Sequence, residues 1–474
     1  MALSTLRAAF AGRLLDEPEA MAPFLTDWRR KWTGQAMAVA QPDTAEGVAA
    51  VLRWCYAHRV AVVPQGGNTG LSGGATPSSQ GRNLVLSTAR LQRIRAIDAV
   101  GHTITAEAGV TLQQLQDAAR EADRLFPLSL AAQGSCTIGG NLATNAGGVQ
   151  VLRYGNAREL CLGLEVATPD GELWSGLREL RKDNTGYDLR GLFIGSEGTL
   201  GVITAAVLKL FPRPAAQVAT WVAVPSPEAA LALLALAQQR LASDLTAFEL
   251  ISETCLQLVL QHVPSARRPL ADAAPWYVLL ELGSAQGEAA ATSAIEGLLE
   301  AALEAGHASD AAVSASLAQF RSLWALREDI SESQGAEGPT IKHDIALPIA
   351  RIPAFIGATG AALARHWPEL RLVVFGHLGD GNLHYNVSPP AAGMGRDAFT
   401  ALEGPVNRVV HDAVHAAGGS ISAEHGLGVL RRDEAARYKT AVERRLMQAV
   451  KTALDPLNLM NPGKLLGADP PADH

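Results

Sequence analysis

Three glycine-rich loops, each beside an apolar run, constrain this chain more than any other feature. The first is Pro64-Gln65-Gly66-Gly67-Asn68-Thr69-Gly70-Leu71-Ser72-Gly73-Gly74, which follows RVAVV. The second is Gly134-Ser135-Cys136-Thr137-Ile138-Gly139-Gly140-Asn141, continuing through Thr144-Asn145-Ala146-Gly147-Gly148. The third is Gly195-Ser196-Glu197-Gly198-Thr199-Leu200-Gly201. Glycine lets backbone N–H groups turn towards one point and lets a ligand come close. Several such groups form a concave anion site without any lysine, and a diphosphate suits it. One such loop alone reads as a turn. Three of them, rich in Ser, Thr and Asn and each next to a strand, read as a binding scaffold. No G-x-G-x-x-G and no G-x-x-x-x-G-K-[ST] occurs, so neither a Rossmann site nor a P-loop is supported.

The rest of the chain reads as alternating strands and helices. NLVLSTA, HTITAEAG, LGLEVATPDG and LGVITAAVLKLFP extend the strand pattern up to about residue 214. QPDTAEGVAAVLRWCYAHR reads as a helix capped by Asp43 or Thr44. From about 216 to 389, ATWVAVPS, AFELI, WYVLLELG, IKHDIALP and RLVVFGHLGDGNLHYNV read as strands between amphipathic helices. That pattern implies an α+β layer with the sheet on one side and helices on the other. The stretch from 402 to 466 reads as helices broken by ISAEHGLG, and GADPPADH as a frayed end. A length of 474 residues suits about three domains or sub-domains.

Composition excludes several classes. A net charge of -7 argues against nucleic acid, whose phosphates need a dense cationic face. No apolar run reaches the roughly 18 residues of a membrane helix. Cys55, Cys136, Cys161 and Cys255 form no C-x-x-C pair, which excludes a zinc ribbon or disulfide framework and suits a reducing cytoplasm. MALSTLRAAFAGRLLDEPEA carries Asp16, Glu17 and Glu19, and so reads as a surface helix rather than a transit peptide.

VVFGHLGDGNLHYNV holds the sharpest chemical signal. Asp380-Gly381 between apolar runs predicts a two-residue type I′ hairpin. Gly379 then pairs with Asn382, Leu378 with Leu383, and His377 lies opposite His384, about 5 Å away between Cβ atoms. Two imidazoles so placed suit one divalent metal, with Asn386 on the same face; a bare pair of histidines is the alternative. Ser422-Ala423-Glu424-His425-Gly426 supplies a carboxylate and an imidazole. One suits a ligand and the other a proton acceptor, although the local sequence alone reads as an exposed loop. A flavin-free metal hydrolase and an inactive flavin-binding module are the competing classes.

Taken together, PQGGNTG (64–70), GSCTIGGNLATNAGG (134–148), RKDNTGYDL (181–189), FIGSEGTLG (193–201), LWALRE (323–328), GHLGDGNLH (376–384), SAEHG (422–426) and NPGK (461–464) resemble the FAD-dependent D-2-hydroxyacid dehydrogenases of the vanillyl-alcohol-oxidase superfamily, from about Trp32 to Leu466. The resemblance implies an N-terminal helical segment (1–34), a two-lobed FAD-binding domain (35–215), an α+β substrate cap (216–415) and a C-terminal segment closing on FAD and a metal (416–474). FAD would lie with its diphosphate on 64–70. The 134–148 stretch, Gly198, Gly201 and Ile203 would hold the remainder, and Asn461 would approach the flavin. Some relatives attach FAD through a histidine after paired glycines; Asn68 stands there, so non-covalent FAD is expected.

By the same resemblance, His377, His384 and Glu424 would bind zinc or manganese, and His425 would be the general base. Arg327, Ser331 and Lys342 would meet a distal carboxylate, with Asn386 nearby. Read alone, Arg327 could equally be a solvated helix residue. Ser331 departs from the family's threonine, and His343 from its usual tyrosine. The implied reaction oxidises D-2-hydroxyglutarate or D-malate, with D-lactate as the alternative substrate. A metal acidifies the hydroxyl, a histidine takes its proton, and hydride passes to flavin N5. Electron-transfer flavoprotein or a quinone would be the acceptor; the oligomeric state stays open, though relatives are often dimers.

Overall fold

The computed structural model describes residues 2–80 and 82–467, so the GADPPADH tail lies outside the described residues from 468 onward. The chain divides into two compact units. One comprises Met1–Gly148, Gly155–Pro212 and Glu424–His474, and the other Val149–Tyr154 and Arg213–Ala423.

The first unit contains two larger sheets. In one, the strands Gly12–Leu15, Ala38–Pro42, Asn83–Ser87 and Ala61–Gln65 lie in that order. The last three are mutually parallel, and Gly12–Leu15 adds an antiparallel edge. That edge strand was not expected from the sequence, where GRLL sits half-exposed in a helix-like run. The other sheet is antiparallel, in the order Ile94–Asp98, Thr103–Glu107, Val202–Lys209, Cys161–Ala167, Leu173–Gly176. The helix Ala45–His58 is capped by Thr44, whose Oγ1 accepts the Gly47 N–H at 3.1 Å; Asp43 does not fill that role. Leu52, Leu84, Leu86, Ala108, Ala167 and Val202 share one core, joined by Leu6 of the helix Ala2–Ala9 and by Met460. Met460 lies in a bridge beside Val62, and the Asn461 N–H donates to the Val62 carbonyl at 2.7 Å. The late segment is therefore structural to this unit.

The second unit is built on a seven-stranded antiparallel sheet. Its order is Asp310–Val313, Ala216–Val224, Trp276–Ser284, Leu245–Ser252, Arg371–His377, Asn382–Ser388, Asp344–Ala346. Every residue of Leu245–Ser252 is buried. Alternate residues of a strand point to opposite faces, so both faces must be covered. Ala247, Ile251, Trp221, Tyr277 and Phe375 pack with Leu256, Trp324 and Ile330 from helices on one face. The helices Pro227–Leu241 and Glu288–Glu304 pack on the same central strands through Leu233, Leu234, Ile295 and Leu298. The one-sided layer expected from the sequence is thus a sheet with helices on both faces, which explains why AFELI and VLLEL lack polar alternation.

No helix among the described residues is long and apolar enough to cross a membrane. All four cysteines are free and buried.

Candidate active site

In the first unit the three glycine-rich loops converge on a single cleft. Pro64 to Gly70, Thr137, Gly139, Gly140, Asn141, Thr144, Gly198, Gly201 and Ile203 line it. Ser72, Thr88, Ser196, Glu197 and His425 line it as well. Leu71, Gly134, Ser135, Asn145, Gly147, Gly148 and Asn461 stand outside this lining. The loops approach so closely that a Cβ on Gly67 would sit 1.9 Å from the Ser135 carbonyl oxygen. Asn68 takes the left-handed φ of 54° and donates its amide N–H to the Thr26 carbonyl at 2.9 Å.

The wall bearing His425 is held by two residues that sequence reasoning did not select. Glu197, itself at φ 51°, accepts the Leu427 and Gly428 N–H groups on its two carboxylate oxygens, each at 2.8 Å. Burial raises its pKa, against the pull of those two N–H groups. Ser72 Oγ donates to the His425 and Gly426 carbonyls, each at 3.2 Å. The amide N–H of Asn461 donates to the Gly74 and Glu197 carbonyls at 2.9 and 2.8 Å. Asn461 therefore braces two cleft loops from behind.

In the second unit the hairpin forms with a different register. His384 faces Phe375, not His377, and Tyr385 faces Val374. The strands end at His377 and resume at Asn382, joined through residues 378–381. Three interactions outcompete the tight turn. His377 and Gly376 are paired with Glu249 and Leu250 on the neighbouring strand. Leu378 is fully buried. The Asp380 carboxylate accepts the Asn382 N–H at 3.0 Å. The offset is even, so side-chain faces are conserved. The two imidazoles still converge, with ring centroids 5.8 Å apart at 75°.

A buried carboxylate lies behind this pair. Glu249 Oε1 is 2.5 Å from His377 Nδ1, and its Oε2 accepts Arg327 Nε at 2.7 Å. Burial would raise the Glu249 pKa, but His377 and Arg327 together bring it down to about 2. Burial pushes Asp380 up to about 6, despite the charge of His377. Arg327 is itself buried, with its Cζ 4.7 Å from the Phe375 ring centroid. Lys342 is half-buried and Ser331 exposed. Asn386 is enclosed among protein partners: its Oδ1 accepts the His343 N–H at 3.1 Å, and its Nδ2 donates to Gln334 at 3.0 Å. The only local signal for Glu249 was an acid inside the apolar run AFELI.

The first unit thus presents a glycine-lined cleft bordered by a histidine, and the second a His-His-Glu-Arg cluster on its sheet. The chain belongs to the FAD-linked oxidases: residues 36–176 match the family model for the FAD binding domain, and residues 213–465 match that for the C-terminal domain of FAD linked oxidases. It is similar to D-2-hydroxyglutarate dehydrogenase of Xanthomonas citri pv. viticola, at 42% identity over 98% of this chain and 96% of that protein. It is also similar to the mitochondrial D-2-hydroxyglutarate dehydrogenase of Bos taurus, at 39% identity over 98% and 83%. Its fold is of the vanillyl-alcohol-oxidase type. The structure of p-cresol methylhydroxylase with substrate bound superimposes with a TM-score of 0.74 at 16% identity, covering 98% of this chain and 96% of that one. The protein is an FAD-dependent dehydrogenase acting on a CH–OH donor.

Proposed function

We propose that this enzyme oxidises D-2-hydroxyglutarate to 2-oxoglutarate, with D-malate as a second diacid substrate. Arg327 carries the reading. It is a cation with 7% exposure, stacked on Phe375, and its one hydrogen bond among the described residues uses Nε. A distal carboxylate gives its Nη edge a bidentate partner. The methyl group of D-lactate leaves that edge unpaired, at a cost of about 1–3 kcal/mol. Lys342 and Ser331 are the further groups proposed for this carboxylate, with Asn386 nearby. The names of the two dehydrogenase relatives support the same substrate.

His377, His384 and Glu424 are the proposed ligands of a divalent cation, zinc or manganese. The donor set fits. Two imidazoles share one hairpin, and Glu249 occupies Nδ1 of the first, which directs Nε2 away from that carboxylate. Glu424 follows Ala423, whose N–H donates to the Asp344 carbonyl at 3.2 Å. When bound, the cation would acidify the substrate hydroxyl and FAD would accept the hydride. The imidazole of His425 takes the hydroxyl proton. Ser72 and Glu197 fix the backbone on which that ring stands. FAD is held without a covalent bond, since Asn68 offers an amide where a histidine would be needed. We place the enzyme in the cytoplasm, with electron-transfer flavoprotein or a quinone as acceptor and the oligomeric state open.

Anaerobic bleaching of the flavin by a panel of D- and L-2-hydroxy acids tests this. Fastest bleaching by D-2-hydroxyglutarate is expected. Preference for D-lactate over every diacid would overturn the substrate assignment, and a colourless protein that FAD cannot reconstitute would overturn the whole reading.

A further inference from the structure

We infer that Glu249 is a positioning residue that sets, through one carboxylate, both the grip of the metal site and the preference for a second carboxylate on the substrate. The inference rests on the proposed roles of His377 and Arg327 and adds a residue to them. Glu249 lies on the strand Leu245–Ser252, directly across the ladder from His377. It is fully buried between Ala247 and Ile251, where a carboxylate without partners would be costly. Its two oxygens divide their work. Oε1 holds His377 Nδ1 at 2.5 Å, which keeps the proton on Nδ1 and leaves Nε2 as the electron-pair donor. Oε2 accepts Arg327 Nε at 2.7 Å, which leaves the Nη groups of the guanidinium uncommitted to this carboxylate.

Phe375 completes the frame. Its ring carries the Arg327 guanidinium at 4.7 Å and the His384 ring at 4.9 Å between centroids. The distance between the ligating imidazole and the anion-binding edge is thereby fixed by a single side chain on a rigid central strand. A 2-hydroxy diacid would be measured against that distance. No glutamine can replace this carboxylate in full. An amide accepts through its oxygen only, so with that oxygen on Arg327 Nε it faces His377 with a donor NH2 and favours the tautomer protonated on Nε2.

The test uses full-length, FAD-loaded E249Q beside wild type and H377A. Affinity for zinc alone is read by competition with a coloured chelator. Flavin content and the thermal melt report folding. Expected for E249Q are retained flavin, zinc affinity weakened on the order of 10- to 100-fold, and a KM for D-2-hydroxyglutarate raised more than that for D-lactate. Nitrogen chemical shifts of the histidines in metal-free protein should also show loss of the fixed His377 tautomer. Unchanged zinc affinity and an unchanged tautomer in E249Q would overturn the inference. If H377A also binds zinc normally, the failure lies with the ligand assignment instead. Should E249Q lose flavin or its cooperative melt, E249D is read against the same outcomes, because it keeps the charge but cannot span both partners.

Discussion

At the scale of single residues, the flavin cleft depends on backbones that pass too close for a side chain. Gly67→Ala would place a methyl group against the Ser135 carbonyl, and a backbone carbonyl yields only if its loop shifts away from the cleft. We expect this variant to fold but to purify with little or no flavin, as read from its visible absorbance. His425→Ala should keep flavin and metal yet slow flavin reduction about 100-fold or more in stopped flow; near-normal reduction would remove His425 as the base. Lys464 braces the first loop by donating Nζ to the Gly73 and Thr76 carbonyls at 2.8 and 2.9 Å. Burial, with Arg432 nearby, lowers its pKa to about 8. The folded state therefore sheds this proton before the unfolded state does. Its contribution to stability rises as pH climbs from about 8 towards about 10. Lys464→Met should abolish that rise in pH-dependent melts.

At the scale of elements, the hairpin shows what local sequence can and cannot specify. Asp380-Gly381 correctly marked a chain reversal between two strands. The register was not legible, because it is decided by a third strand far away in sequence. Glu249 and Leu250 hold His377 and Gly376 in their own ladder, and the turn lengthens to suit. The loops 64–70 and 134–141 were legible because their glycines cluster in sequence, although the closeness that requires Gly66, Gly67 and Gly139 is set by Thr137, Ser135 and Ala108 in other segments. Arg327 was ambiguous until Phe375 and Glu249 were seen around it, and Ser72 and Glu197 act on a segment more than 200 positions later. The buried carboxylate also has a signature in acid. Its folded pKa of about 2 lies below the ordinary value of 4.5, so its stabilisation is complete above about pH 4.5 and is lost as pH falls towards 2. Glu249→Gln should flatten that part of the acid-unfolding curve of the metal-free protein, followed by circular dichroism.

At the scale of the whole molecule, neither unit is one continuous stretch of chain. Residues 149–154 leave the first unit to join the second, and residues from Glu424 onward return to the first. The use of glycine set off the first region, and the resemblance implied a late segment closing on FAD, but no local pattern encodes where that segment docks or that residues 149–154 leave the first unit. A chain ending at Ala423 retains the matched FAD binding domain yet lacks Met460, Asn461 and Lys464. We expect it to bind no flavin, which equilibrium titration with FAD would show. The order of synthesis gives that threading a further meaning. The brace behind the cleft is translated after both glycine-lined loops it supports, so a nascent polypeptide carries an open cradle until Asn461 and Lys464 emerge. Yellow colour in a growing chain would therefore report that synthesis has passed Lys464.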